Sequence, residues 1–435
     1  MKKIAVIGAG ASGMTAAIAA ARTKEQTREH WQIYLLDHKD LPGKKILSTG
    51  NGRCNLTNEH IDIACFHSRH PEVARQVLDR FSFRETLDFF SSLGLLTKSR
   101  GGYIYPRTDQ AAAVRSLLEM ELKRWKIPVH TGVHVEEIQR NGDHFQITGL
   151  GKRFFADRVI LAAGGRAAPV LGSDGTGYRL AKSLGHTLVP VVPALVPLKV
   201  RSHPLAKAAG VRTEAAVTAI CSGKETAKDQ GELQITAYGI SGIPVFQISR
   251  HIAQALEKKE PAEVRVDLAP WAGGSDLRAF FKVRAAGRDQ LSSGEFLTGV
   301  FHQKLIPRIL ELAGIRMNTQ VKDLSAEILG RLARVCKNVR LTIEDTTGFD
   351  NAQVSAGGIP LSEIDGRTME SRRSKGLYLT GEILDVDGIC GGYNLQWAWA
   401  SGYLAGTAAV KSLHEEQHQK GTNRKTLEKS KGTTR

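Results

Sequence analysis

Three glycines near the N-terminus have the spacing of a site for a diphosphate. Gly8, Gly10 and Gly13 follow the pattern G-x-G-x-x-G, directly after an apolar run over residues 3–7. Apolar residues then recur at helical spacing, so the predicted order is strand, tight turn and helix. In such a unit the first glycine permits the turn, the second lets a diphosphate approach the backbone, and the third lets the helix pack closely. The helix N-terminus offers free N–H groups and the positive end of its dipole to the phosphates.

A carboxylate after the next predicted strand supports this interpretation. Asp37 follows the apolar run at residues 31–36, near the distance at which a carboxylate accepts hydrogen bonds from ribose hydroxyls. Two other interpretations stay open. Lys2 and Lys3 before an apolar run imitate a signal peptide, although three glycines interrupt that run. The glycines could also do no more than shape a turn.

The composition is that of a globular protein with more than one core. The chain has 435 residues, so two domains, or one with a large insertion, are expected. No apolar run approaches the length of a membrane-spanning helix, so no membrane partner and a cytoplasmic location are expected. The five cysteines are odd in number and lack a C-x-x-C pair, which argues against zinc, disulfides or a redox pair. No metal site is predicted.

The net charge of +16 suits contact with nucleic acid, an anionic cofactor or an acidic membrane. Much of the excess is dispersed along the chain. The basic stretch from about Lys411 to Arg435 is interpreted as a solvated, partly disordered tail. No aromatic-basic stacking pattern accompanies it, so nucleic acid is not an expected partner.

Two further stretches combine glycines with polar residues. Residues 41–58 hold Lys44, Lys45 and Arg53 among glycines and amides, which favours an extended loop along a phosphate and a heteroaromatic ring. Paired glycines at 391–392 open a small-residue helix, whose bare N–H donors would stabilise an anion such as the negative edge of a reduced flavin. An ordinary surface loop and a structural strand–helix turn are the alternatives.

The other segments alternate between helical and strand patterns. Residues 129–135 and 158–165 are predicted strands, the second ending in small residues where the chain must pass close to another group. Residues 145–156 are predicted to form a hairpin. Helices are predicted over 71–98, 111–126, 178–184, 276–285, 296–312 and 324–336, and from 393 to about Ser412.

These patterns divide the chain into four segments. Residues 1–190 and 353–412 carry the motifs typical of cofactor binding. Residues 191–352 begin with strand patterns and continue into helices, which predicts an inserted mixed β/α domain with a barrel-like part. Residues 413–435 form the basic tail.

Six stretches together resemble one known family. They are GKKIL at 43–47, GNGRCNLTN at 50–58, GISG at 239–242, GE at 381–382, DVDG at 385–388 and GGYNLQWA at 391–398. They are similar to the bacterial FAD-binding flavoproteins that include aminoacetone oxidase and the BaiN-type bile-acid reductases, over residues 1 to about 410. The resemblance implies an α/β fold, with a two-dinucleotide-type, Rossmann-like FAD domain made from both chain ends and an inserted domain between them.

The resemblance also implies contacts with FAD along both parts of that domain. Asp37, where many relatives carry glutamate, would bind the AMP ribose, and Val133 would hold the adenine through its backbone. Glu382 would lie by the ribityl chain or diphosphate, while Asn394 and Leu395 would meet the flavin. The full set of expected contacts is Gly8, Gly10, Ala11, Ser12, Gly13, Asp37, Lys44, Lys45, Val133, Ala163, Gly164, Glu382, Gly392, Asn394 and Leu395.

Residues and resemblance together favour an FAD-dependent oxidoreductase. It would pass a hydride between flavin N5 and a small organic substrate held between the FAD domain and the insert, with NAD(P)H as a candidate transient reductant. Arg53, Tyr393 and Asn394 are expected near the isoalloxazine, and no residue has the context of a general acid or base. Relatives often carry Thr-His where this chain has Ala237 and Tyr238, so a substrate contact there is expected to differ.

Three other classes of protein stay open on the sequence alone. The charge favours an RNA-directed flavoprotein, whose affinity for RNA would fall with rising salt. A nicotinamide-only dehydrogenase would purify without the yellow colour of flavin. A flavin-bound regulator would show no turnover. The sequence specifies neither the oligomeric state nor the electron partner.

Overall fold

The computed structural model describes residues 1–432, with side chains through residue 419. The helices in this part of the chain are α1 Ala11–Thr27, α2 Pro71–Arg80, α3 Phe83–Ser92, α4 Ala111–Arg124, α5 Thr176–Ser183, α6 Ile243–Glu257, α7 Gly274–Ala285, α8 Ser293–Leu297, α9 Ile306–Leu312, α10 Ala326–Lys337 and α11 Tyr393–Gly432. The strands are β1 Lys3–Ile7, β2 Gln32–Leu36, β3 Thr57–Asn58, β4 Phe66–His67, β5 Thr97–Arg100, β6 Tyr103–Pro106, β7 Val129–His130, β8 Val135–Asn141, β9 His144–Gly149, β10 Lys152–Ala156, β11 Arg158–Leu161, β12 Val189–Ala194, β13 Leu198–Val200, β14 Arg212–Cys221, β15 Lys224–Ile235, β16 Gly239–Ser241, β17 Ala262–Asp267, β18 Val339–Thr346, β19 Val354–Gly358, β20 Leu377–Leu379 and β21 Asp387–Gly388.

The chain forms two compact units, one of them discontinuous in sequence. The first unit comprises Met1–Val191 and the segment from Val354 onward, and the second comprises Val192–Gln353. None of the described helices is both long enough and apolar enough to cross a membrane.

A five-stranded parallel sheet forms the centre of the first unit. Its strand order is β20-β11-β1-β2-β7, and the central Val6 pairs with Ile160 on one side and Leu35 on the other. The strands are buried because α1 and α11 pack on the sheet, and the antiparallel sheet β10-β9-β8 also lies against it, with Tyr34 of β2 stacked on Phe154 of β10. Strand β20 comes from the C-terminal segment and pairs in parallel with β11. The prediction of a Rossmann-like α/β fold is therefore confirmed, and its sheet includes strands from both ends of the chain.

The second unit, called the barrel unit below, contains a closed antiparallel barrel with strand order β13-β16-β15-β14-β17-β18, together with helices α6 to α10. Its interior holds buried apolar side chains such as Leu233, Val264 and Leu341. The GISG stretch has a steric role here. A Cβ on Gly239 would lie 2.0 Å from the carbonyl oxygen of Leu198, so β16 reaches its neighbour only with glycine at this position.

Three helix predictions were wrong in their extent. The helix predicted over 71–98 is two helices, because Ser82 caps α3 through a reciprocal hydrogen-bonded pair with Glu85. The helix predicted over 296–312 is interrupted after α8 by Gly299, which has a φ of +79°. The C-terminal helix continues beyond Ser412 to Gly432. The predicted strand 129–135 is likewise divided by a turn at Gly132.

The barrel unit is expected to lose stability in acid because of His251 on α6. Burial, together with the neighbouring Arg250, lowers the pKa of His251 to about 4. Below a pH of roughly 6.5 the unfolded chain then binds more protons than the folded chain, so the free energy of unfolding falls as the pH drops towards 4. This single group accounts for at most about 3 kcal/mol.

Denaturant unfolding at neutral pH and at about pH 5 checks this prediction. His251→Gln should lose less stability on acidification than the parent chain, while His144→Gln, at an exposed position, should behave like the parent. Equal acid losses in all three proteins would contradict it.

Candidate functional site

The three glycines of the first motif occupy the turn between β1 and α1, and each has a different surrounding. Gly8 has a φ of +101°, and a Cβ there would lie 2.3 Å from the carbonyl oxygen of Ala162. A Cβ on Gly13 would lie 1.9 Å from the oxygen of Gly8. By contrast, no described atom lies within 4 Å of a Cβ built on Gly10. Gly10 is the N-cap of α1 and has no side chain, so the first N–H groups of the helix receive no side-chain cap from it.

This turn therefore has the form of a phosphate cradle. Gly8 and Gly13 are required by the fold, because a Cβ at either position would clash with a backbone oxygen. Gly10 instead leaves room for a ligand. Ala11 and Ser12 form the first residues of the helix, with the Ser12 side chain buried. Bare N–H groups and the helix dipole stabilise a diphosphate at such a terminus. These observations fit the diphosphate of FAD.

Asp37 joins three backbone segments at the adenosine end of the expected site. One carboxylate oxygen accepts the N–H of Ala9 at 2.6 Å, and the other accepts the N–H of Lys39 at 2.7 Å. The carbonyl oxygen of Asp37 accepts the N–H of Val133 at 2.8 Å. A carboxylate held in this way keeps lone pairs for ribose hydroxyls. The structure thus brings Asp37 and Val133 next to the glycine turn.

The two lysines of the polar loop differ in their surroundings. Lys45 Nζ donates to Glu382 Oε2 at 2.8 Å and to the carbonyl oxygen of Ala167 at 3.1 Å. Glu382 in turn accepts the N–H of Ser355 at 2.9 Å. Lys44 instead lies 3.5 Å from the exposed Asp40. Of the two, Lys45 is the one fixed against the C-terminal segment.

The small residues after β11 also line this region. Gly164 has a φ of +74°, and a Cβ there would lie 2.9 Å from Ser173 Oγ. The Cβ of Ala163 lies against Gly177, where an added Cβ would approach it to 2.7 Å. Lys45 Nζ lies 3.4 Å from the same Ser173 hydroxyl, so the small residues, the lysine and Glu382 share one neighbourhood.

The beginning of α11 is packed against the polar loop of residues 41–58. A Cβ on Gly392 would lie 2.7 Å from the carbonyl oxygen of Thr57, and Asn58 Nδ2 donates to the oxygen of Gly391 at 3.0 Å. The first intrahelical bond runs from Gln396 to Gly392. The N–H groups of residues 393–395, among them Leu395, therefore have no acceptor within the helix.

The residues expected near the isoalloxazine have different environments. The amide of Asn394 donates to the oxygen of Gly388 and accepts its N–H, both at 2.8 Å, so this side chain braces β21. Tyr393 donates its hydroxyl to the oxygen of His60 at 3.2 Å, and burial raises the pKa of the Tyr393 hydroxyl above its usual value. Arg53 is exposed within the polar loop.

Close packing of α1 on α11 was not foreseen from the sequence. A Cβ on Gly402 would lie 2.3 Å from the oxygen of Ser12, and one on Gly406 would lie 2.0 Å from the oxygen of Ala16. Gly381 also abuts Ser12, since its Cβ would lie 2.6 Å from Ser12 Oγ. The glycine pair four residues apart in a helix was the available signal. This contact places the C-terminal helix directly on the phosphate cradle.

Gln396 is a second position that sequence reasoning missed. It is fully buried, and its Oε1 accepts the hydroxyls of Thr57 at 2.7 Å and Thr86 at 2.9 Å. Its Nε2 donates to the oxygen of Phe81 at 2.9 Å. These side-chain hydrogen bonds run to the polar loop, to α3 and to Phe81 between α2 and α3, so Gln396 fixes the start of α11. A lone amide among small apolar residues was the signal in the sequence.

A serine, a histidine and a glutamate form a further arrangement that resembles a catalytic triad. Ser371 Oγ and Glu363 Oε2 each lie 2.8 Å from one ring nitrogen of His186. All three residues are buried, and Ser371 Oγ also accepts the N–H groups of Arg373 and Ser374. A hydroxyl so placed has no path to a substrate. The arrangement is a structural network.

A parallel sheet with a glycine-turn cradle, closed by a helix from the far end of the chain, defines a Rossmann-type dinucleotide-binding protein. The family model described as "HI0933-like protein Rossmann domain" matches residues 2–408. The chain therefore belongs to the HI0933-like Rossmann-domain family.

Two curated relatives and one solved structure illustrate these similarities. The 3-dehydro-bile acid delta(4,6)-reductase of Clostridium scindens is 58% identical over 94% of this chain and 99% of its own length. The ribosomal RNA dihydrouridine synthase of Escherichia coli is 28% identical over 92% of this chain and 95% of its own. The 3-ketosteroid delta1-dehydrogenase of Sterolibacterium denitrificans is 11% identical, with a TM-score of 0.50, covering 95% of this chain and 100% of that one. The last likeness concerns the fold.

Proposed function

We propose that this FAD-dependent enzyme reduces a carbon–carbon double bond conjugated to a carbonyl group in a small organic molecule, with NAD(P)H as the electron donor. The observation that carries the proposal is the 58% identity to a delta(4,6)-reductase over nearly the whole of both chains. A 3-dehydro bile acid with delta(4,6) unsaturation and a uridine share this chemical feature, so the second relative, a dihydrouridine synthase, is consistent with the same reaction type.

Bound FAD supplies two-electron redox chemistry, exchanging a hydride with a donor and with substrate carbon. The protein would hold the FAD and polarise its ring system. The free N–H groups at the start of α1 bind the diphosphate, and Asp37 accepts from the ribose. Lys45 and Glu382 fix the link between the polar loop and the C-terminal segment. The N–H groups of residues 393–395, which have no acceptor within α11, would stabilise negative charge that develops on the ring system.

Several finer expectations belong to this proposal. Arg53, Tyr393 and the backbone of Asn394 are proposed to lie along the flavin, and the insert is proposed to contribute to the substrate site. A cytoplasmic location is also proposed, and the scattered positions of the five cysteines are consistent with it. An oxidase of the aminoacetone type is the alternative in which oxygen takes the electrons.

Anaerobic single-turnover measurements test the proposed reaction. The yellow protein is reduced with NADH or NADPH and then mixed with a 3-oxo-Δ4 steroid or with a saturated analogue of the same size. We expect reoxidation of the flavin by the unsaturated compound alone, with a product two mass units heavier. Rapid reoxidation by oxygen, with no alkene reduced, would favour the oxidase instead.

A second candidate is reduction of uridine within RNA. The net charge of +16 favours it, because a basic protein gains affinity for a polyanion through counterion release. Gel-shift titrations with a uridine-containing RNA at low and moderate salt separate the two substrates. Absence of RNA binding at low salt would exclude this candidate.

A further inference from the structure

Three side chains from separate loops of the first unit meet beside Asp37 and Val133. His38 directly follows Asp37, His134 directly follows Val133, and Asp174 lies in the glycine turn before α5. One ligand atom from each lies within 4.8 Å of the other two. The rings of His38 and His134 meet edge to face, with their centroids 5.8 Å apart. Two imidazoles and a carboxylate thus face one another.

One ring nitrogen of His38 has no hydrogen-bond partner among the described residues. This nitrogen is Nε2, and it is buried. Asp174 Oδ2 lies 3.9 Å from that nitrogen, too far for a hydrogen bond. Asp174 Oδ1 accepts the N–H of Thr176 at 2.9 Å, which holds the carboxylate in place. A buried polar atom is usually hydrogen-bonded or bound to a ligand, so this nitrogen is available to bind one.

The gap between the two atoms suits a metal ion. Imidazole nitrogen and carboxylate oxygen each bind Zn²⁺ at about 2.0–2.2 Å, so two ligands of one tetrahedral ion lie about 3.3–3.6 Å apart. The 3.9 Å between His38 Nε2 and Asp174 Oδ2 is a few tenths of an ångström longer, so a small side-chain movement would let both atoms bind one ion. Imidazole and carboxylate together suit late first-row divalent ions. Asp174 is partly exposed, leaving a position for water.

We propose that His38, His134 and Asp174 bind one divalent late first-row transition ion, with Zn²⁺ as the representative case. The ion would tie together the three loops around the adenosine end of the FAD site, and this role does not depend on which substrate is reduced. Cysteine spacing gave no indication of it, because the three ligands come from distant loops and form no local motif.

Two features of the chain must be controlled in a test. Glu29, His414 and His418 form another group of metal-ligating side chains, in which His414 Nδ1 already lies 3.0 Å from Glu29 Oε1. A bound FAD is also a competing partner for His38. The parent protein is therefore compared, FAD-loaded and stripped with a chelator, with variants of each group.

Isothermal titration with Zn²⁺ alone, and visible absorption of Co²⁺ beyond the flavin bands, measure the binding. We expect one ion per chain, with affinity reduced at least about 100-fold in His38→Ala, His134→Ala and Asp174→Asn. His418→Ala and the exposed His144→Ala should keep the parent affinity. Asp174→Asn retains the oxygen that accepts from Thr176, so it separates loss of a metal ligand from loss of the turn.

Release of FAD provides a second readout, since Zn²⁺ should slow it in the parent protein and not in His38→Ala. Three results would overturn the proposal. They are absence of saturable binding, binding that is lost only in His418→Ala, and binding that appears only after FAD has been removed. The last result would indicate that His38 and His134 contact FAD and do not bind a metal ion.

Discussion

Replacing Gly10 by valine is expected to leave a folded protein that no longer retains FAD. The backbone at Gly10 is extended, with a φ of −80°, so any residue can adopt it. The space around its Cβ is free of described atoms within 4 Å, so the fold has no need of glycine there. The valine side chain would instead occupy the place of the diphosphate. We expect at least about a 100-fold loss of affinity, which corresponds to about 2.7 kcal/mol.

Titration of the apoprotein with FAD, monitored through the quenching of flavin fluorescence, measures this loss of affinity. Circular dichroism reports whether the variant is folded. Gly13→Ala is the matched comparison. Its Cβ would lie 1.9 Å from the oxygen of Gly8, so this variant should lose the fold as well as the cofactor. If Gly10→Val bound FAD as the parent does, the diphosphate would have to lie elsewhere.

Replacing Gly402 by alanine is expected to destabilise the first unit by about 3 kcal/mol. Alanine favours a helix over glycine by about 1 kcal/mol, so on helix propensity alone the variant would be more stable. The added Cβ, however, would lie 2.3 Å from the backbone oxygen of Ser12. Helices α1 and α11 must then separate, because a backbone atom cannot rotate away as a side chain can. Gly406→Ala should behave in the same way.

The midpoint of thermal unfolding of the FAD-free protein checks this prediction. Gly274→Ala is the control, since Gly274 lies in the first turn of α7 and no described atom is within 4 Å of its added Cβ. That substitution should be neutral or slightly stabilising. A Gly402→Ala protein as stable as the control would show that the two helices are not in close contact.

The parts of the site that sequence could predict are those with a local steric cause. The glycine turn was predictable because each glycine answers one requirement within a few residues, namely the turn, the approach of a phosphate, or helix packing. The start of α3 was also encoded locally, since Ser82 and Glu85 form a capping box. The apolar pattern across residues 71–98 continued through that break and concealed it.

The parts that could not be predicted depend on pairs of residues distant in the chain. Lys45 was assigned to the phosphates through family resemblance, and nothing near it in sequence indicates its ion pair with Glu382 at 2.8 Å. Asn394 was expected to contact the flavin, but its amide is bonded to Gly388. The position of β21 decides whether the side chain or the backbone of Asn394 faces the cofactor. The helical periodicity of the sequence does not predict that position.

The edge position of β20 beside β11 has a consequence for biosynthesis. The barrel unit, Val192–Gln353, is continuous and leaves the ribosome before the strand that completes the parallel sheet has been made. Domains generally fold as units during synthesis, so we expect the barrel to be folded while the N-terminal part still lacks its final strand and closing helix. The cofactor would then be captured late, as one of the last events in the maturation of the chain.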